Sequence, residues 1–193
     1  MDKIEVKEIM RPISEFSVIS GDATFMEGMI ALENVDEQFK SGRTPERILL
    51  VQDKDQKIIG KISPMDIVQG LEPKYDYIER FQTNQYYLLI ENSFQAMEEQ
   101  SRMWNKPLSE LCEKANSIKI KDFIKMPTSD HIVMLEDALD VAFHVLVSRR
   151  LGSLFVKNNE NIVGLILFSD IYKKIKKTMK SCTIINQTHI RKE

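Results

Sequence analysis

The 193-residue chain is 42% hydrophobic and carries 27 basic against 29 acidic side chains, a net charge of −2 with a pI near 6.0. That is enough chain to bury a proper core in one or two domains, and the charge balance excludes a protein built mainly to neutralise nucleic-acid phosphates. No window approaches the ~18 consecutive apolar residues of a membrane span; Cys112 and Cys182 lie in no CxxC, and the charged start Met1-Asp2-Lys3-Ile4-Glu5-Val6 is unlike a signal peptide, so a reduced, cytoplasmic protein is expected.

Ile4, Val6, Ile9 and Met10 set apolar side chains among charges, a pattern short enough for a half-turned lead-in helix against the core, ended by Arg11-Pro12. Phe16 to Ile19 reads as a short strand and Ser20-Gly21-Asp22 as its turn. A helix is predicted from about Thr24, with Phe25, Met29, Leu32 and Phe39 on one buried face and Val35 or Asp36 completing the step. Ser41-Gly42-Arg43-Thr44-Pro45 makes a loop, within a stretch around Asp36 to Glu46 that carries about ten residues without counterpart in the second half of the chain. Arg43 and Arg47 read as solvated loop charges, with delivery of positive charge to a phosphate as the alternative. Ile48 to Val51, apolar on successive residues, is predicted as a strand covered on both faces, and Gln52 to Gln56 as a hairpin turn.

From Glu72 to about Ser117 any likeness to the rest of the chain stops, over a stretch far longer than a plain connector. Pro73 breaks the preceding helix; Tyr87, Ile90, Phe94, Met97 and Ser101 then step at helical spacing, and Leu108, Leu111 and Ala115 predict a short helix after Pro107. This insert, residues 72–116, is expected to be a helical subdomain. It holds seven of the chain's fifteen aromatics, Tyr75, Tyr77, Phe81, Tyr86, Tyr87, Phe94 and Trp104, which points first to packing and second to a dimer or partner surface. Glu91, Glu98, Glu99 and Glu110 make its helices acidic, against a nucleic-acid stacking role.

The second half mirrors the first. Ile118 to Ile124 matches the lead-in, His131 to Met134 the first strand, Leu139, Phe143 and Leu146 the helix face, and Ser153 to Val156 with the turn Lys157 to Asn161 the middle strand and hairpin. Beyond Ile171 a final helix places Ile175 and Met179 on its apolar side and Lys173, Lys174, Lys176, Lys177 and Lys180 elsewhere, a solvated face that suits the negative end of the helix dipole. The last dozen residues lack periodicity and are expected to fray.

One stretch occurs in both halves, Gly60-Lys61-Ile62-Ser63-Pro64-Met65-Asp66-Ile67 and Gly164-Leu165-Ile166-Leu167-Phe168-Ser169-Asp170-Ile171. Each turns from a β-branched strand into a helix just before the Asp. Ser63-Pro64-Met65-Asp66 has the form of a helix start, with a hydroxyl at the N-cap, Pro at the first helical position and a carboxylate at the third; its plain reading is a capping box. The same geometry offers unpaired N–H groups and a positive dipole end to a phosphate, beside an Asp that can take a sugar diol. In the second copy Leu167 replaces Ser63 and supplies no hydroxyl, while Asp170 remains and Ser169 reaches a phosphate only if the turn is offset.

Upstream of each copy stand Asp22-Ala23-Thr24-Phe25-Met26-Glu27-Gly28 and Glu136-Asp137-Ala138-Leu139-Asp140-Val141-Ala142. The whole resembles the cystathionine-β-synthase-type (CBS) domain, whose pattern ends in Gly-h-h-Ser/Thr-x-x-Asp (h, apolar), in tandem over roughly residues 1–71 and 117–180. The resemblance implies an α/β (α+β) fold of two β-α-β-β-α repeats related by a pseudo-two-fold, here with the helical insert between them and a tail at 181–193. It implies a regulatory, non-catalytic module that binds an adenosine-containing ligand (AMP, ADP, ATP, S-adenosylmethionine or an NAD-type molecule) between the repeats. Carried onto this sequence, the ligand-binding residues are Val18, Lys61, Ile62, Ser63, Pro64 and Asp66 in the first repeat and Ile132, Leu167, Ser169 and Asp170 in the second.

Pairing through helices, which the resemblance also implies, makes a homodimer the expected assembly, with an unidentified downstream protein as further partner. Membrane and nucleic acid are not expected partners. His131, His144 and His189 are too scattered for a metal site, and no Gly-x-Ser-x-Gly, Walker loop or Gly-x-Gly-x-x-Gly occurs, so neither a metal nor a catalytic residue is expected. The rival expectation is a protein-interaction or dimerisation scaffold without ligand.

Overall fold

The computed structural model describes residues 4–71 and 108–190. The predicted helix through Tyr87 to Ser101 and the insert's seven aromatics lie outside the described residues. The chain divides into two compact units, one of residues 16–126 and one of residues 1–15 together with 127–193.

In the first unit Ser17–Ser20 (β2) runs parallel to Leu49–Gln52 (β3), which pairs antiparallel with Ile58–Ile62 (β4). Phe25–Lys40 (α1) makes the crossover, and Pro64–Leu71 (α2) follows β4. Leu108–Ser117 (α3), which the sequence predicts, and the single turn Ile120–Phe123 (α4) come next. Helix α1 starts on a capping box: Thr24 Oγ1 accepts from the Glu27 N–H at 3.2 Å while Glu27 Oε2 accepts from the Thr24 N–H at 2.7 Å. Phe25, Leu32 and Val35 of α1 pack with Leu49, Val51, Ile62, Ile67, Ala115 and Ile120 as one core.

The second unit repeats this plan. Ile132–Met134 (β5) runs parallel to Ser153–Asn158 (β6), which pairs antiparallel with Asn161–Leu167 (β7); Leu139–Ser148 (α5) crosses between, and Phe168–Ile190 (α6) follows. Val6, Val133, Leu139, Ala142, Leu146, Leu154, Val156, Ile166 and Ile171 form its core. The two hairpins share an irregularity: an extra residue sits immediately before the motif glycine, Ile59 before Gly60 and Val163 before Gly164.

The units are not consecutive pieces of the sequence, because the lead-ins are exchanged. Residues 4–12 complete the second unit: Arg11–Pro12 (β1) pairs antiparallel with β7, Val6 is fully buried in its core, and the Val6 and Leu139 N–H groups bond Asp137 O and Ile4 O at 2.9 Å each. Residues 118–124 do the same for the first unit, where Phe25 N–H bonds Ile118 O at 2.8 Å and Ile120 N–H bonds Ala23 O at 2.9 Å. The lead-in is a 3-10 turn at Val6–Glu8, shorter than a helix.

Three further departures have local causes. Helix α1 runs to Lys40, past the Asp36 at which the extra residues were expected to begin, because nothing breaks it before Ser41-Gly42. Its buried face is Phe25, Gly28, Leu32 and Val35, and Met29 is 42% exposed. Gly28 takes an inward place where Ile120 packs close, its Cδ1 lying 3.0 Å from where a Cβ would stand. Helix α6 continues to Ile190 where a frayed tail was expected, with no Gly or Pro to stop it, and Met179 is exposed despite its place in the apolar pattern.

Candidate functional site

In the first unit the strand register places the candidate residues on two faces of the sheet. Val18, Leu50 and Lys61 are direct neighbours across β2, β3 and β4 and so share one face. Ile62 points the other way, fully buried with Phe25 and Leu49 in the core, so it offers a ligand its backbone and no side chain. Val18 is exposed at 40% and Pro64 is exposed at the first position of α2.

The helix start is half a capping box. Asp66 Oδ2 accepts from the Ser63 N–H at 2.7 Å and from the Ser63 hydroxyl at 2.6 Å. The hydroxyl therefore donates to the carboxylate, and Asp66 makes no ion pair among the described residues. Burial lowers the Lys61 ammonium to about 8, opposed by the nearby Asp66 carboxylate. What results is a carboxylate held by neutral donors, a partly buried lysine and an apolar strand residue beside the N-terminus of α2. This is chemistry suited to a hydroxyl-bearing, anionic ligand.

The second unit keeps the position and changes the company. Arg11, Leu165, Phe155 and Ile132 are neighbours across all four strands, on the face that corresponds to Val18 and Lys61. Leu167 is fully buried, and Ser169 Oγ is shielded from solvent without a hydrogen-bond partner among the described residues. Asp170, 9% exposed, receives a two-toothed bond from Arg11, Nε to Oδ2 at 2.8 Å and Nη2 to Oδ1 at 3.1 Å. Lys173 Nζ adds a third donor to Oδ1 at 3.0 Å. The Arg11 hydrogen bond is the main reason the Asp170 carboxyl lies below its ordinary value, against the opposing effect of burial.

Arg11 carries no candidate role in the sequence, where it reads only as the end of a lead-in. One signal could have found it: each lead-in ends on a cation, Arg11 in one and Lys125 in the other, each beside the motif glycine of the repeat on which it packs. The loop arginines fall to the plain reading. Arg47 pairs with Asp36 at 2.9 Å and lies over the Phe39 ring, and Arg43 bonds Ser41 Oγ at 2.9 Å.

No protein-family model matches the sequence, and no curated protein matches it. Solved structures match its fold. CBSX2 in complex with AMP superposes over 91% of this chain and 98% of its own at 15% identity, with a TM-score of 0.55. A hypothetical conserved protein from Geobacillus kaustophilus does so over 91% and 98% at 13% identity and a TM-score of 0.58. A CBS domain-containing protein of unknown function from Bacillus anthracis covers 91% and 94% at 17% identity with a TM-score of 0.56. The chain has the tandem CBS-domain fold, two β-α-β-β-α repeats in mixed α/β layers. The motif glycines and aspartates stand at equivalent places in the two repeats.

Proposed function

We propose that the chain is a cytoplasmic regulatory module that binds an adenosine-containing ligand, an adenine nucleotide first among them, and converts occupancy into a change of shape or association. The observation that carries the reading is the start of α2, where Asp66 is bonded by Ser63 alone among the described residues and stands beside Lys61. Asp66 would take the ribose diol, while the first turn of α2 and the Lys61 ammonium would face the phosphates. Neither a metal nor a catalytic group enters the scheme. The AMP bound to CBSX2, which shares the fold, supports the choice of ligand class.

A thermal-shift panel of AMP, ADP, ATP, NADH and S-adenosylmethionine tests the proposal. At least one of these should raise the melting temperature in wild type and fail to do so in Asp66→Asn. A flat panel, or equal shifts in the two proteins, would return Asp66 to the role of a helix cap.

The second reading, an interaction or dimerisation scaffold, is favoured by Met29 and Ile30 on α1 and Met65 and Val68 on α2, all exposed. It predicts a homodimer whether or not ligand is present.

A further inference from the structure

The two motif carboxylates differ in what holds them, and two of the three bonds that make the difference come from one side chain contributed by the lead-in. Asp66 accepts two bonds, both from Ser63 and both at Oδ2. Asp170 accepts three charge-assisted bonds spread over both oxygens, two from Arg11 and one from Lys173. A ribose diol needs lone pairs on the carboxylate it binds, and the fork of an arginine is the strongest competitor for them that a protein carries.

The backbone fixes Arg11 in this place. Strand β1 pairs Arg11 with Leu165 and Pro12 with Gly164, and a Cβ on Gly164 would collide with the Arg11 carbonyl. The absence of a side chain at the motif glycine is thus what lets β1 lie close enough for the guanidinium to reach the motif aspartate. In the first unit Lys125 passes Gly60 with its carbonyl oxygen 3.6 Å from the corresponding Cβ position, and Asp66 has no ion pair among the described residues. The guanidinium is itself braced by Glu15, whose Oε2 accepts from Nη1 at 3.1 Å.

We propose that Arg11 is a latch on Asp170, which withholds the second motif carboxylate from ligand and leaves the site at Asp66 as the open one. The inference rests on the adenosyl-ligand reading given above and deepens it: the inequality of the two sites is set by Arg11 more than by the missing hydroxyl at Leu167. Replacing Arg11 should therefore create a site, an outcome that the loss of a serine alone does not give.

Calorimetric titration of the full chain with AMP decides the matter, using wild type, Arg11→Gln, Asp66→Asn and the double variant Arg11→Gln/Asp66→Asn. Wild type should take about one AMP per chain and Asp66→Asn none in the same range. Arg11→Gln should take two. Its second phase should be about ten- to a hundredfold weaker than the first, since no hydroxyl matches Ser63 there. The double variant should keep that weaker phase alone and lose it on adding Asp170→Asn.

If wild type binds AMP while Arg11→Gln still takes one and the double variant none, the latch is overturned and the adenosyl reading stands. If none of the four proteins binds AMP, both are overturned. Should Arg11→Gln not fold, as judged by circular dichroism, Arg11→Met keeps the side-chain length and the β1 backbone without a donor. It should then show the second phase, and a stoichiometry of one would overturn the latch.

Discussion

At Asp170 the carboxyl is held below its ordinary value chiefly by Arg11, and the sign of the resulting pH dependence follows. The folded value lies beneath the unfolded one, ~3.9 for an aspartate, so the pair's contribution is complete above that pH and is lost as pH falls through the folded value. Arg11 is 35% exposed, which limits the expectation for Arg11→Gln to a loss of ~1–2 kcal/mol at neutral pH in urea melts. The gap to wild type should narrow below pH 4, and a gap of constant width would assign the loss to packing. Lys61 runs the other way: burial sets its value at about 8, beneath the unfolded ~10.4. The unfolded chain then holds more protons between these two values, and stability should climb with pH across that window. Lys61→Met should remove the climb while weakening AMP binding, and a slope unchanged from wild type would dissociate it from Lys61. Ser63→Ala should cost ~0.5–1.5 kcal/mol for the hydroxyl bond to Asp66, whereas Asp66→Asn still accepts from the Ser63 N–H and should change the ligand-free protein little. Asp66 and Asp170 were legible because they stand at the same offset from a glycine in the two copies, and Ser63 because a hydroxyl before Pro64 marks a helix start. Arg11 was not, because it reaches its partner across 159 positions of sequence and no spacing rule links them.

Among the elements, the motif glycines rank by what stands against them. A Cβ at Gly164 meets the main chain of β1, which cannot move without giving up its pairing to β7, whereas at Gly60 it meets first the Ile124 Cδ1 at 3.0 Å, the far end of a side chain that can turn aside. Gly164→Ala is therefore expected to cost more than ~3 kcal/mol and Gly60→Ala about 1–2 kcal/mol in denaturant melts. Equal costs would mean that β1 contributes nothing to its unit. The strands and helix starts could be read from the sequence since β-branched runs, Thr24 and Pro64 each act within a few residues. The inward face of α1 could not: Gly28 is buried because Ile120, more than ninety positions away, approaches it, and a pattern of apolar residues gives that place to Met29.

For the whole molecule, the exposed Met29, Ile30, Met65 and Val68 favour self-association. Light scattering should give about 45 kDa for two chains of 22.4 kDa, against which a single-chain mass at micromolar concentration would stand. The exchange of lead-ins escaped the sequence for a physical reason. Ile4, Val6, Ile9 and Met10 carry the same pattern as Ile118 to Ile124, and a short apolar segment of that kind fits the surface of either repeat. Deleting residues 1–12 should therefore leave hydrogen-exchange protection in β3 and β4 intact and strip it from β6 and β7.

The exchange also sets an order of assembly on the ribosome. Residues 16–126 hold every described strand and helix of their unit, so that unit can close as soon as its last residue leaves the exit tunnel. Residues 4–12 emerge before the rest of either unit, yet the β7 edge they pair with is made only when synthesis has passed Leu167. The lead-in, made before both units, is thus among the last of their parts to find its place. Until β7 is made it travels as an amphipathic segment without its docking edge, a state in which a nascent-chain chaperone or a second ribosome-bound copy has time to meet it.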